Sequence, residues 1–279
     1  MPMTQYGRFF YKLTGSGNDF VFVDARTEPA GELETPTVVD ALCARGTGVG
    51  ADGIVFVEPA SATGGRFSIR YLNRDGSLAL LCGNASLCTV RLAAELGIAR
   101  EGEDIEFATG AGLVRGRLCD SGPEIDLQPI EALEPTSEFR PLAGEQRIGF
   151  AMVGVPHVVV LCDDVEAVDI VGRGRPIRYD PSLSAGANVN FVSNDGERWH
   201  LRTYERGVEA ETLACGTGSV ASAAMLSAWG LSGDETVLLT RSGLPLRVRI
   251  RRSAEMLVPS LGGEGRIVFR GQLPAPNGT

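Results

Sequence analysis

Lysine is nearly missing: among 279 residues, Lys12 is the only one. A pyridoxal phosphate enzyme needs a lysine for its Schiff base. Lys12 lies in an apparent strand beside Gly15-Ser16-Gly17, where a structural or solvated role is expected. Histidine is scarce too, with only His157 and His200 and no C-x-x-C pair, so a metal site has little to be built from. Positive charge is short overall, since 26 Lys and Arg against 35 Asp and Glu leave a net charge of −9. Nothing supplies the basic face that a phosphate backbone requires, which excludes nucleic acid as a partner. Long apolar runs are also lacking. The longest, Val158 to Cys162, is strand-sized against the roughly 20 residues of a membrane span, so no membrane association is expected. The N-terminal MPMTQYGRFF has no cationic stretch followed by an apolar run, unlike a secretory signal. Six cysteines are too few for a disulfide framework, and in the cytoplasm, the expected location, they stay reduced.

What is present is globular: 43% hydrophobic and 22% charged residues, at a length that suits two domains of ordinary size. Strand patterns at 9–11, 20–23, 54–57 and 66–72 surround a short helix over 37–44 and precede a helix from about Ala85 to Leu96, closed by Gly97. Residues 120–145, rich in Pro, Glu and Ser, read as a connector. The second half repeats the logic, with strands near 148–162, 188–192 and 199–204 and a helix from about Ser219 to Trp229. Sliding one half over the other sets YLNRDGSLALLCGNAS on YERGVEAETLACGTGS, Tyr71 on Tyr204 and Cys82 on Cys215, without a gap. An internal duplication follows: an αβ chain of two similar lobes.

Each of these two cysteines sits where a strand and loop meet the start of a helix. The first amides of a helix lack intrahelical acceptors, and its N-terminus carries partial positive charge, which binds carboxylates and favours thiolate over thiol. Gly83-Asn84 and Gly216-Thr217 are small or polar and let a ligand approach those amides. Two such helix starts suit an inversion, one thiolate taking an α-proton and one thiol giving a proton to the other face. A single Cys-Gly would read as packing; two in register do not. The scheme needs no cofactor. Gly48-Val49-Gly50-Ala51-Asp52-Gly53 satisfies G-x-G-x-x-G, but its order is helix then strand, opposite to a dinucleotide fingerprint. Cys43, Cys88, Cys119 and Cys162 read as packing residues.

Six segments in order carry a resemblance: KLTGSGNDFVFVD (12–24), GVGADGIVFVE (48–58), YLNRDGSLALLCGNASLC (71–88), GVPHVVV (154–160), GANVNFVS (186–193) and RTYERGVEAETLACGTGS (202–219). The chain resembles diaminopimelate epimerase, a cofactor-independent family that interconverts LL- and meso-diaminopimelate. The resemblance implies an α/β (α+β) fold of two pseudo-symmetric lobes, each a curled, mostly antiparallel sheet around a central helix, with the active site in the cleft between them. It implies an N-terminal lobe over 1–122, completed by the C-terminal strand 265–279, and a C-terminal lobe over 123–264. It makes Cys82 and Cys215 the catalytic thiols. Gly83, Asn84, Gly216 and Thr217, with Gly218 and Ser219 behind them, become the carboxylate-holding amides. Asn18 lines the reacting end. Asn73, Asn188 and Arg206 bind the distal amino acid group, Arg206 pairing with its carboxylate. Glu205 and His157 become proton-shuttling or orienting groups, His157 equally well a structural imidazole. The implied partner is a small-molecule substrate, with a homodimer left open.

Three departures accompany the resemblance. Ala85 and Leu87 replace the Gly and Arg of CGNGARC, reducing local charge; Val155 replaces an asparagine that contacts substrate; and ERGVEAETLAC is one residue longer than the short form. Two alternatives remain at this level. One is a relative acting on proline or hydroxyproline, whose ring would leave the distal polar grip unsatisfied. The other is a non-catalytic amino acid binding or thiol redox protein, in which Cys82 and Cys215 join as a disulfide.

Overall fold

Short β-branched and aromatic runs, broken by glycine-rich turns, make this a molecule of strands wrapped around helices. The computed structural model describes residues 7–254 and 256–273. They divide into two units, residues 7–125 with 264–273, and residues 126–263.

In the first unit the strands are β1 (Phe9–Gly15), β2 (Asn18–Asp24), β3 (Gly53–Glu58), β4 (Phe67–Asn73), β5 (Leu78–Ala79), β6 (Asp104–Thr109), β7 (Gly112–Cys119) and β8 (Gly122–Asp126), joined near the C-terminus by β18 (Arg266–Gln272). Helix α1 spans Pro36–Cys43 and α2 spans Gly83–Glu95. The second unit holds β9 (Ala132–Glu134), β10 (Glu145–Val153), β11 (Val155–Cys162), α3 (Ile170–Arg178), β12 (Asn188–Asn194), β13 (Trp199–Glu205), β14 (Ala210–Thr212), α4 (Gly216–Ala228), β15 (Glu235–Thr240), β16 (Pro245–Ser253) and β17 (Met256–Gly262). Of the segment expected to complete the first lobe, residues 274–279 lie outside the described residues.

The strand pairings of the two units correspond. β1–β2 and β10–β11 are antiparallel, β2–β3 and β11–β12 parallel, β3–β4 and β12–β13 antiparallel. β4 then pairs with β5 at one end and in parallel with β6 at the other, as β13 does with β14 and β15. The register corrects the sequence alignment by one residue in the strand: Leu72, not Tyr71, matches Tyr204. Leu72 opposes Ile54, which opposes Val21, on the face packed against α1, as Tyr204 opposes Val189, which opposes Val158, on the face packed against α3. The extra residue of the second unit falls in the turn between strand and cysteine. The outer edge differs only in chain order: β18 closes against β1 from the C-terminal end, whereas β9 closes against β10 from in front of it.

Strand alternation gives each sheet two faces. In the first unit Val21, Val23, Ile54 and Phe56 pack with Val39 and Cys43 of α1. In the second, Val158, Val160, Val189 and Phe191 pack with Ile170 and Ile177 of α3. The opposite faces curl around α2 and α4. The latter touches β9 and β10 near one edge of its sheet and β16 and β17 at the other. Both helices are buried nearly all round, α2 through Asn84, Ala85, Ser86, Leu87, Cys88, Thr89, Val90, Leu92 and Ala93. Such a helix belongs in a core. Small residues make the enclosure geometrically feasible: a Cβ on Gly149 of β10 would lie 2.5 Å from Met225 Sδ of α4, and one on Gly116 of β7 would lie 2.5 Å from Val90 Cγ2 of α2.

Three further expectations change. The helices begin at Gly83 and Gly216, directly after the cysteines, rather than two or three residues later. The connector at 120–145 contains strands β8 and β9, with Ile125 buried and Glu124 buried against Arg117. A buried carboxylate with such a partner is tolerated in a strand, which composition alone does not reveal. Helix α3, with Gly172, Gly174 and Pro176, has poor intrinsic propensity. It forms because Asp169 caps Gly172 N at 2.9 Å and Gly174 allows close approach to Tyr204, where a Cβ would lie 2.6 Å from the tyrosine Cβ. No helix among the described residues is long and apolar enough to cross a membrane.

Leu87 is fully buried in α2. Leu87→Ala is expected to lose about 2–5 kcal/mol of stability in urea unfolding, and Leu87→Arg more, since it would bury an unpaired charge. An unchanged midpoint in both would contradict this packing.

Candidate active site

Cys82 and Cys215 are the N-caps of α2 and α4, with nearly identical backbones: φ −137°, ψ 119° and φ −132°, ψ 111°. Each carbonyl closes the first helical turn, accepting from Ser86 N or Ser219 N at 2.9 Å. The amides that follow are therefore those of Gly83-Asn84 and Gly216-Thr217, aligned along two thirteen-residue helices. Neither side chain makes the N-cap hydrogen bond to a helix amide.

In the first unit, Asn84 is buried and its Nδ2 donates to Asn18 Oδ1 at 2.7 Å. Asn18 Nδ2 donates in turn to Asp52 Oδ2 at 2.9 Å, and Asp52 Oδ1 accepts from Arg45 Nη2 at 2.8 Å. Arg45 also grips Asp19 at 2.7 Å, and Asp19 takes a second cation, Lys12, at 2.8 Å. Burial opposes ionisation of Asp19, but the hydrogen bonds from Arg45 and Lys12 outweigh it and lower its pKa. Lys12 also donates to the Gly50 carbonyl and is buried, so the one lysine is structural. Asp52 thus orients Asn18, a role its motif did not disclose. Asn73 stands apart from this chain of bonds, donating to Ser77 Oγ at 3.0 Å.

In the second unit, strand alternation puts His157, Asn188 and Asn190 on the face opposite the α3 core. Asn190 is fully buried: its Nδ2 lies 3.1 Å from His157 Nδ1 and donates to the Val158 carbonyl at 3.2 Å, while its Oδ1 accepts from Thr203 Oγ1 at 3.1 Å. Gly218 must be glycine, since a Cβ there would lie 2.3 Å from Asn190 Oδ1 and 3.2 Å from Cys215 Sγ. Asn190 is therefore the packing link between the histidine and the cysteine turn, and sequence reading passed over it. Thr217 Oγ1 lies 3.7 Å from Cys215 Sγ. Asn188 Oδ1 accepts from Arg206 N at 2.8 Å, and Arg206 Nη1 donates to the Ala185 carbonyl at 3.1 Å. Burial raises the Glu205 pKa above the ordinary carboxylate value.

Burial, with the Arg206 charge adding to it, pushes the His157 imidazole down to about 3. A ring held neutral that far donates or accepts hydrogen bonds but does not serve as a general base near neutrality. Its Nε2 has no hydrogen-bond partner. Among the other cysteines, burial drives Cys43 up to about 11, Cys162 up to about 12, and Cys88 upward as well, which leaves them protonated packing thiols.

Comparison with known proteins adds the following. The family model described as diaminopimelate epimerase matches residues 10–130 and 149–263. The diaminopimelate epimerase of Gemmatimonas aurantiaca is 46% identical over 276 residues, covering 95% of this chain and 98% of that protein. The Aquifex aeolicus protein of the same name is 39% identical over 274 residues, at 95% and 97% coverage. Among solved structures, a Bacillus anthracis phenazine biosynthesis protein of the PhzF family aligns with a TM-score of 0.74 at 14% identity, covering 95% of this chain and 98% of that one. A hydroxyproline epimerase from Agrobacterium vitis, with bound trans-4-hydroxy-L-proline, aligns with a TM-score of 0.65 at 18% identity, over 98% and 94%. At these identities the structures share the fold.

The unfolded chain protonates His157 near its ordinary 6.5, whereas the native state resists to about 3. Between those values the unfolded state binds more protons, so His157 destabilises the fold progressively as pH falls from 6.5; above it the contribution vanishes. Expected by NMR is a His157 C2 proton that keeps its neutral shift from about pH 8 to 5. Titration within that range would refute the burial argument.

Proposed function

The chain belongs to the diaminopimelate epimerase family, and on that premise we propose that it interconverts LL- and meso-diaminopimelate through two thiols, without a cofactor, in lysine and peptidoglycan precursor synthesis. The observation that carries the mechanism is the pair of matched helix starts, one per unit, each with a cysteine as N-cap. A thiol holds one proton, so inversion needs two of them. The thiolate of one cysteine takes the α-proton, breaking Cα–H and forming S–H. The electron pair is held in the α-carboxylate system, whose oxygens the amides of Gly83-Asn84 and Gly216-Thr217 stabilise as charge builds. The second thiol then gives its proton to the opposite face, leaving a thiolate, and the reverse reaction uses the same pair with roles exchanged.

Asn18, held by Asp52 and Asn84, orients the reacting end. Asn73, Asn188 and Arg206 take the distal group, whose carboxylate Arg206 pairs with. Glu205, with its raised pKa, suits proton handling beside the thiols, whereas neutral His157 serves as an orienting group. Two working thiols require a reducing compartment, which assigns the protein to the cytoplasm.

Incubation of LL-diaminopimelate with the protein in heavy water, without added cofactor, should erase the α-proton signal and yield the meso form, while proline and hydroxyproline remain unchanged. Cys82→Ala and Cys215→Ala should each lower epimerisation by at least about 10³-fold with the fold intact by circular dichroism. Full turnover in either variant would end the two-thiol reading, and exchange from proline alone would reassign the substrate.

A further inference from the structure

Glu209 sits at φ +58°, in the left-handed region that favours glycine. In the corresponding turn of the first unit that place belongs to Gly76, at φ +81°; each residue lies six positions ahead of its capping cysteine. A residue stays in such a conformation only where its surroundings over-determine it. Here the side chain does so. Glu209 Oε1 accepts from Gly207 N at 3.0 Å and from Arg178 Nε at 3.2 Å, and Oε2 accepts from the Tyr204 hydroxyl at 3.2 Å.

Arg178, the last residue of α3, has a second contact. Its Nη1 lies 1.8 Å from where a Cβ on Gly186 would be, so the guanidinium fills the space that this glycine leaves. It thereby braces the segment whose Ala185 carbonyl accepts from Arg206 Nη1. The contacts close a ring: Glu209 to Arg178, Arg178 to the 185–186 segment, Ala185 to Arg206, and Arg206 through the adjacent Gly207 back to Glu209.

We propose that Glu209 is a positioning residue, which acts through Arg178 and the Gly207 amide to fix the Arg206 guanidinium for a carboxylate at the distal end of the substrate. This rests on the distal role assigned to Arg206 above. A glycine at 209 would relieve the backbone yet leave Arg178 and the Gly207 amide without their acceptor. Arg206 would then have to be ordered by the substrate itself, a cost that falls on binding rather than on proton transfer.

The test has a structural and a kinetic arm. Amide hydrogen exchange over 205–209, read by mass spectrometry without substrate, should accelerate about tenfold or more in Glu209→Gly; unchanged exchange overturns the proposal whatever the substrate proves to be. With LL-diaminopimelate, Glu209→Gly should raise KM about tenfold with kcat within about threefold, and Glu209→Gln, which keeps an acceptor, should hold KM within about threefold of the parent. The double variant Glu209→Gly with Arg206→Met should match Arg206→Met alone in kcat/KM, because both act on one contact. A fall in kcat alone, or losses that multiply in the double variant, overturns the role. Faster exchange in Glu209→Gly together with a parent that leaves the α-proton of diaminopimelate untouched would instead overturn the substrate reading, and the Arg206 role with it.

Discussion

Everything in this molecule follows from burying a helix on every side while leaving its first turn usable. A buried helix ordinarily has its orphan N-terminal amides satisfied by a capping side chain. Here the caps are Cys82 and Cys215, whose side chains do not close the helix. The first-turn amides are thus left without a side-chain cap while the body of the helix supplies core. That arrangement dictates composition. The helix must be narrow enough for a curled sheet to surround it, so α4 is built from Gly, Ala, Ser and Thr with few larger side chains, and strand glycines such as Gly149 accept its surface. Buried serines are the consequence: Ser219 bonds the Cys215 carbonyl, whereas Ser86 and Ser222 have no partner for their hydroxyls.

Duplicated frames have been given different electrostatics. The first unit surrounds its asparagine pair with ions, Asp52, Arg45, Asp19 and Lys12, each charge answered by another. Such a lattice fixes a neutral amide without presenting net charge to it. The second unit does the reverse near its cysteine turn, using neutral groups, Asn190 and an imidazole that burial keeps unprotonated, and keeping its cation, Arg206, on the loop.

The two cysteines and the helices behind them were legible in sequence because one offset aligned loop end, cap and helix. The strand before them escaped by one residue, since the face a strand residue takes is decided by its pairing, and there Leu72 rather than Tyr71 stands where Tyr204 does. Continuous β-branched and aromatic runs such as β2 and β3 were legible because their composition is local, and they are buried almost throughout. What escaped was whatever depends on partners distant in the chain. Helix α3 carries Gly172, Gly174 and Pro176 and is held by Asp169 and by packing on Tyr204. Strands β8 and β9 are hidden in a Pro- and Glu-rich stretch because their burial depends on pairing, as Glu124 does on Arg117. Asp52 was visible only as part of a glycine-rich string; its carboxylate matters because folding brings Asn18, far back in the chain, against it.

Departures from a family pattern deserve the same treatment, because their meaning lies in what they touch. Leu87 replaces an arginine, which suggests lost charge at the mouth of a site; yet Leu87 is fully buried and Ala85 nearly so, so the exchange belongs to the packing of α2 and leaves the amides at its start unaltered. Val155 is different: it is half-buried at the first position of β11, two residues before His157, and is not part of a helix core. The longer segment before Cys215 differs again. Its extra length comes with a left-handed Glu209 whose carboxylate braces the turn bearing Glu205 and Arg206. Of the three, one repacks a core, one removes a polar group at the start of a strand, and one brings a left-handed residue held by its own carboxylate.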